Sequence, residues 1–352
     1  MNRIVVGGDF GDYKTSSVIA KLGLYLNSDI VNGGSIETIC NLVDSLKGYD
    51  LVVWAPNISN EVEKNYPKKD SGAVLICSKV LRENRDFGDA IARIFKMNGN
   101  AVITIESQER PFKFSLIDAL GNVWCKTTDI GELSFKIEEL YKWTKASTRT
   151  RSKNIEFTSE EQPKTDLTAL CGIVKRVADN VENERGGRYF GNVSTRCGKM
   201  FPSQRLENDI VLMSGRNVGK SRIAPDDFVY TKMVDGCVMC HGEKKPSVDT
   251  PIQLGMYEYF KNINYFIHGH AYIDGAGFTN HYYPCGDLRE LSAVKDIIHQ
   301  ESDQIVLNLK NHGFLIGTNN IDQLRALVEN LNFKHRQIGI EIADINELKP
   351  QI

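Results

Sequence analysis

The sequence predicts an α/β protein whose N-terminal half is a doubly wound parallel sheet. Three observations point there. Short apolar runs recur at Ile4–Val6, Leu51–Trp54, Val74–Cys77 and Ala101–Ile105, rich in the β-branched residues of strands buried on both faces. Segments with apolar residues at helical spacing lie between them. The first run also enters Gly7-Gly8-Asp9-Phe10-Gly11, a glycine turn of the kind that joins a strand to a helix.

The elements follow in order. A helical segment from about Thr15 to Leu26 succeeds the glycine turn, and Val31 ends a second strand. Ser35 caps a helix with Ile36, Ile39, Leu42, Val43 and Leu46 on one side. Asp86 to Met97 is amphipathic through Phe87, Ile91, Ile94 and Phe95. Alternation of β and α at this spacing winds a parallel sheet, of Rossmann or flavodoxin type. A hairpin (Lys113–Ile117 with Val123–Lys126) and a helix from Ile130 to Trp143 close this domain, bounded at 1–144. Its glycine turn is neither a dinucleotide fingerprint nor a P-loop, and Asp9 and Asp12 would repel phosphate, so a tight turn is expected. Any ligand of such a sheet would lie at the carboxyl ends of the strands, near Asp9, Trp54 and Asn57.

From 145 to 164 the chain turns polar and reads as a linker, and 165–352 is a second domain. Two domains are the natural division of 352 residues. Apolar content of 41% with 25% charged residues describes a globular chain, and a net charge of −2 gives no case for nucleic acid or a membrane surface. No apolar run approaches the roughly 20 residues that span a bilayer. The first residues enter a strand directly rather than forming a signal peptide, and eight irregularly spaced cysteines suit free thiols, so a cytoplasmic protein is expected.

The chemistry of the second domain centres on Phe266-Ile-His268-Gly-His270-Ala-Tyr272 and Lys310-Asn-His312-Gly313. A spacing of two on a strand points His268 and His270 to one face. His312 follows the apolar run Ile305–Leu309, a second strand ending in a glycine turn. Two histidines on one strand and a third at the end of another can hold a divalent metal and leave a position open, as catalytic zinc is held. A hydrogen-bonded histidine pair on a half-buried strand is the simpler alternative. Cys237-Val-Met-Cys240-His241 matches a haem-attachment spacing, but on a strand its cysteines face opposite ways. The remaining segments include an apolar-faced helix through Leu167, Leu170, Val174 and Val177, a hairpin at Asp235-Gly236, and core-packing helices through Leu254–Phe260 and Asn320–Leu331.

The order of motifs resembles the class II aldolase/adducin superfamily, the fold of fuculose-phosphate and rhamnulose-phosphate aldolases and ribulose-phosphate 4-epimerase. The landmarks are Gly191-Asn-Val-Ser-Thr-Arg196, Ser214-Gly215, Asp227, Lys245-Pro-Ser-Val-Asp249, His268/His270, Gly286-Asp-Leu-Arg-Glu-Leu291 and Asn311-His-Gly313. The resemblance covers the second half only. It implies a mainly antiparallel sheet between helices in an α/β/α domain, and a homo-oligomer, a tetramer, with sites at subunit interfaces. It implies Zn2+ or another divalent metal on His268, His270 and His312, with Asp249 at the catalytic Glu position. Asn192, Ser214, Gly215 and Ser247 fall on the positions that grip a phosphate. The implied reaction is aldolase-type cleavage, through an enediolate, of a small hydroxy-carbonyl compound such as a sugar phosphate. Epimerase or dehydratase chemistry, or an adducin-like assembly role without chemistry, are the alternatives. Departures from the pattern are the shorter Asp249, Val248 in place of a serine, Tyr189 in place of a small residue, and an extra stretch from Cys197 to Asn208. The family's acidic tyrosine has only Tyr272, Tyr282 and Tyr283 as candidates.

Overall fold

The computed structural model describes residues 3–33, 48–55, 58–59, 73–81, 87–108, 110–147, 152–158, 166–181, 184–185, 188–197 and 210–337. The helix expected from Ser35, Asn57, and most of the extra stretch after Cys197 lie outside them. The chain divides into two compact units, drawn mainly from Met1–Lys145 and from Ala146–Arg336.

The first unit runs β1 (Ile4–Gly8), α1 (Tyr13–Tyr25), β2 (Asp29–Asn32), β3 (Leu51–Trp54), β4 (Val74–Leu81), α2 (Phe87–Lys96), β5 (Ala101–Glu106), β6 (Lys113–Asp118), β7 (Val123–Thr127) and α3 (Ile130–Ser147). The sheet order is β2-β1-β3-β4-β5-β6-β7. β1 to β5 are parallel, and the β6–β7 hairpin adds antiparallel at one side. β4 is longer than its apolar run predicts, and all eight of its residues are buried. The strand order reverses between β1 and β3, which opens a crevice at their carboxyl ends. Just after β1 a carboxylate is buried and bonded within the chain itself. Asp12 caps α1 by accepting from the Thr15 N–H and also accepts from the N–H groups of Ile58 and Ser59 and from both hydroxyls of Thr15 and Ser59. Burial by itself would raise its pKa, but those bonds to Ser59 and Thr15 bring it down to about 2.

The second unit runs β8 (Ser152–Asn154), α4 (Thr168–Asn180), β9 (Glu184–Arg185), β10 (Arg188–Tyr189), β11 (Asn192–Arg196), β12 (Val211–Ser214), β13 (Phe228–Val234), β14 (Cys237–His241), α5 (Thr250–Tyr259), β15 (Tyr265–Gly269), β16 (Ala271–Ile273), β17 (Gly277–Phe278), α6 (Arg289–Lys295), β18 (Gln304–Leu309), β19 (Gly313–Thr318), α7 (Ile321–Asn330) and β20 (Phe333–His335). Among the described residues, nine strands form one sheet in the order β17-β18-β19-β15-β11-β12-β13-β14-β8. It is antiparallel except at its two ends, where β17 joins β18 and β8 joins β14 in parallel. Residues of α4 and α7 pack on one face with Val193, Ile267 and Ile316. Those of α5 and α6 pack on the other with Val211, Phe266 and Leu315. The α/β/α sandwich is the fold expected of this half.

The stretch 145–164, expected to be a linker, is in part regular structure: α3 extends to Ser147 and β8 pairs with β14. An edge strand as polar as Ser152-Lys-Asn154 carries no alternation to read. β14 sets Cys237 and His241 on one side and buried Cys240 on the other. Among the described residues, no helix is long and apolar enough to cross a membrane.

Candidate metal centre

Side chains alternate along β15, so Phe266 and His268 point toward α5 and α6 while Ile267 points toward α4. β15 is the middle strand of the site, with His268 opposite Asn192 on β11 and Leu315 on β19. His270 lies just beyond the strand rather than on it. Pairing breaks at Gly269, and the chain continues as β16 beside β20. His312 ends the turn between β18 and β19, where Asn311 has φ +56° and the His312 N–H donates to the Leu309 carbonyl. Two close approaches hold this arrangement. A Cβ at Gly191, itself at φ +71°, would stand 2.4 Å from the His268 carbonyl oxygen, and one at Gly313 would stand 2.0 Å from that of Gly269.

The three imidazoles converge. Ring centroids are 5.2 Å apart for His268 and His270, 4.7 Å for His268 and His312, and 5.3 Å for His270 and His312. One potential ligand nitrogen from each lies within 4.8 Å of the others. A common centre thus lies roughly 3 Å from each nitrogen, and zinc bonds of about 2.1 Å would draw the rings inward by less than about an ångström. His268 Nδ1 donates to the Phe314 carbonyl at 2.8 Å, which leaves Nε2 as the lone-pair nitrogen. That Nε2 is buried and has no hydrogen-bond partner. His312 Nδ1 donates to Glu290 Oε2 at 2.5 Å, with both side chains buried, and so also presents Nε2. His270 stacks on Phe190 at 5.2 Å. A buried acceptor without a donor is costly, and a cation answers it as a donor would. The donor set therefore fits a divalent ion, with His268, His270 and His312 as the residues to hold it.

Electrostatics sort the three rings. Burial lowers the His268 pKa to about 3, and burial with the neighbouring rings holds that of His270 well below its usual value, so both rings are neutral. Burial opposes charge on His312 too, but the Glu290 carboxylate outweighs it and holds His312 well above its usual value. Metal at Nε2 must displace that proton.

Asp249 precedes α5 and is buried. Its Oδ1 accepts the Gly286 N–H at 3.0 Å and its Oδ2 accepts Asn192 Nδ2 at 2.9 Å. Burial raises its pKa, against the charges of His312 and Arg216 and these two bonds. The strand β11 locates it. Asn192 Oδ1 accepts from Gln253 Nε2 at 2.7 Å, Ser194 Oγ donates to Gln253 Oε1 and lies 3.0 Å from the Tyr257 hydroxyl. Arg196 donates to the carbonyls of Tyr257, Phe260 and Ile263, at the C-terminal end of α5. Alternate residues of one strand thus lace one helix and set its N-terminal Asp249 beside the imidazoles.

Of the remaining expected residues, Ser214 Oγ accepts the Val193 N–H at 3.1 Å, and Gly215 bridges Pro246. Ser247 Oγ accepts the Asp249 N–H at 3.4 Å. They adjoin the Asn192–Asp249 pair through these bonds. Among the tyrosine candidates, the Tyr272 hydroxyl accepts the Asn311 N–H at 3.1 Å next to His312, whereas Tyr282 and Tyr283 are buried in packing. Residues given no role from the sequence complete the site. Glu290 and Cys285 both meet His312, Gln253 ties Asp249 to β11, and Lys220 lines a cavity of about 20 Å³ between α4 and His268/His270. That room holds about one water. The Lys220 ammonium donates to the Val218 carbonyl, and burial brings its pKa down to about 8. Gln253 was findable, four residues along α5 from Asp249 and hence on its face. Glu290 lies within the Gly286–Leu291 landmark but had no role assigned from it, and Cys285, one residue before, carried no signal of its own.

Residues 183–276 match the Class II Aldolase and Adducin N-terminal domain family. A solved structure of YgbL from Klebsiella pneumoniae, an aldolase, epimerase or decarboxylase candidate, is 13% identical, covering 49% of this chain and 86% of its own, with a TM-score of 0.33. The N-terminal class II aldolase domain of a conserved protein from Thermoplasma acidophilum is 15% identical, covering 51% of this chain and 96% of its own, with a TM-score of 0.33. No curated protein matches the chain. The C-terminal half of this chain carries a domain of the class II aldolase/adducin superfamily.

Proposed function

We propose that the second unit is a metal-dependent enzyme of the lyase type, acting on a small hydroxy-carbonyl compound with an anionic end. The observation that carries this reading is the buried, unpartnered Nε2 of His268 facing two further imidazoles. A structural histidine has no reason to forgo its hydrogen bond. When bound, a divalent ion supplies Lewis-acid stabilisation to the oxygens of the hydroxy-carbonyl unit. Asp249 is the group to take a hydroxyl proton from the substrate and return it. Burial raises its pKa toward the working range of an acid–base catalyst, while the Gly286 N–H and Asn192 hold its orientation. The Ser214-Gly215 and Ser247 turns, joined by the Gly215–Pro246 bridge, offer hydroxyls for the anionic end. The homo-oligomer rests on the family resemblance.

A non-catalytic, adducin-like role has one observation in its favour: the side chains of Asn192, Ser214 and Ser247 each already bond within the protein. Metal analysis separates the two. The purified chain is expected to carry about one zinc or related divalent ion, lost in His268→Ala. A metal-free protein that takes up none on titration defeats the enzyme reading. With metal present, release of aldehyde from a panel of phosphorylated ketoses tests the lyase assignment against epimerase and dehydratase chemistry.

A further inference from the structure

The geometry points to Cys285 as a fourth, thiolate ligand, so that the resting centre is closed by three imidazoles and one sulfur; this rests on the metal reading above. Cys285 Sγ lies 3.3 Å from His312 Nε2, the nitrogen that remains for a metal once Glu290 has taken Nδ1. In a tetrahedral zinc site with bonds of about 2.1 Å to nitrogen and 2.3 Å to sulfur, those two ligand atoms stand roughly 3.6 Å apart. The contact is therefore at ligand-to-ligand distance before any ion is present. The orphaned, buried His268 Nε2 marks the three-imidazole centre, to which His312 belongs, independently.

The backbone fixes the sulfur there. The Gly286 N–H donates to Asp249 Oδ1, and the Asp287 N–H donates to the Pro284 carbonyl, which pins the residue on either side of Cys285. Asp249 thus positions the thiol as well as facing the substrate side. Coordination breaks the S–H bond, the proton goes to water and the thiolate electron pair goes to the ion, with no change of oxidation state. Two consequences follow. A thiolate makes the site soft, favouring zinc or cobalt over magnesium. Closure at four ligands means that a substrate oxygen enters only by displacing Cys285 or by raising the coordination number to five.

Cobalt(II) tests this without any substrate. Metal-free protein titrated with Co2+ is expected to show a near-ultraviolet thiolate-to-cobalt charge-transfer band and the intense visible bands of a four-coordinate ion. Cys285→Ser removes the charge-transfer band, retains cobalt on the three histidines, and weakens binding by more than the roughly 10–100-fold that loss of an outer partner costs. Far-ultraviolet circular dichroism checks that the variant folds. The wild-type spectrum decides the matter even where it does not. Cobalt bound without the charge-transfer band overturns the ligand assignment and leaves the three-histidine reading standing. A band that survives Cys285→Ser but vanishes in Cys237→Ser/Cys240→Ser also overturns it. No cobalt bound by the wild-type chain overturns both readings.

Discussion

Under the proposed metal reading, Glu290 sets the way His312 would meet an ion. Its carboxylate holds the Nδ1 proton, fixes the tautomer and makes Nε2 a stronger donor. Glu290→Gln keeps an acceptor at that distance but removes the charge. It is expected to weaken zinc binding by about 10–100-fold, read by competition with a chromophoric chelator, while leaving the fold intact. Unchanged affinity would make Glu290 a packing residue only. Asp12 offers a pH test in the first unit. Its folded pKa of about 2 lies below the unfolded 3.8, so its stabilisation is fully present above pH 4 and disappears as pH falls through 2. The difference corresponds to about 2 kcal/mol. Asp12→Asn can still cap α1, but it is expected to lower stability by that order at pH 7 and to unfold with a flatter acid limb. Denaturant titrations from pH 2 to pH 7 read this directly, and parallel curves for both proteins would contradict it.

At the level of elements, the site depends on three strands and two turns approaching more closely than side chains permit. Gly313 begins β19 with its Cα under the Gly269 carbonyl, so Gly313→Ala must push β19 from β15 and spread His312 from His268. The expected cost is about 1–3 kcal/mol of stability, with metal affinity falling more than stability accounts for. Gly277→Ala, with open space around its Cβ, serves as the control and is expected within about 0.5 kcal/mol of wild type. Equal metal affinity in the two variants would show that the strand separation is not what holds the histidines. The sequence announced these strands because their residues alternate or run apolar, and it announced the imidazoles because a spacing of two and an Asn-His-Gly turn are local patterns. His270 was misplaced by one step because the break after Gly269 comes from β20, whose His335 pairs with Ala271 from far along the chain. β8 was unreadable for the same reason. Its three polar residues become a strand only by joining β14. Glu290 and Cys285 reach His312 across the fold from the loop and helix after β17, and no periodicity encodes that meeting.

For the whole molecule, the division into two units predicts where an ion is felt. Every residue named at the metal centre belongs to the second unit. The proposed ligands come from the middle of its sheet and from the turn before β19, so an ion held there would tie β15, β19 and, through Asp249 and Cys285, α5 and the segment before α6. Zinc at 100 times its dissociation constant adds about 2.7 kcal/mol to the stability of whatever must open to release it. At about 1.4 kcal/mol per tenfold, amide exchange in those elements is expected to slow roughly 100-fold when it proceeds by opening of that unit. Amides of β1, β3, β4 and β5, where no ligand resides, are expected to exchange at the same rate with and without zinc. Hydrogen–deuterium exchange with peptide-level readout on the full chain distinguishes the outcomes. Protection confined to about 249–273 and 285–316, which hold the three imidazoles, places the ion there. Protection centred on 237–241 would move it to the cysteine pair of β14, and equal protection across both units would mean that the chain opens as a single cooperative body.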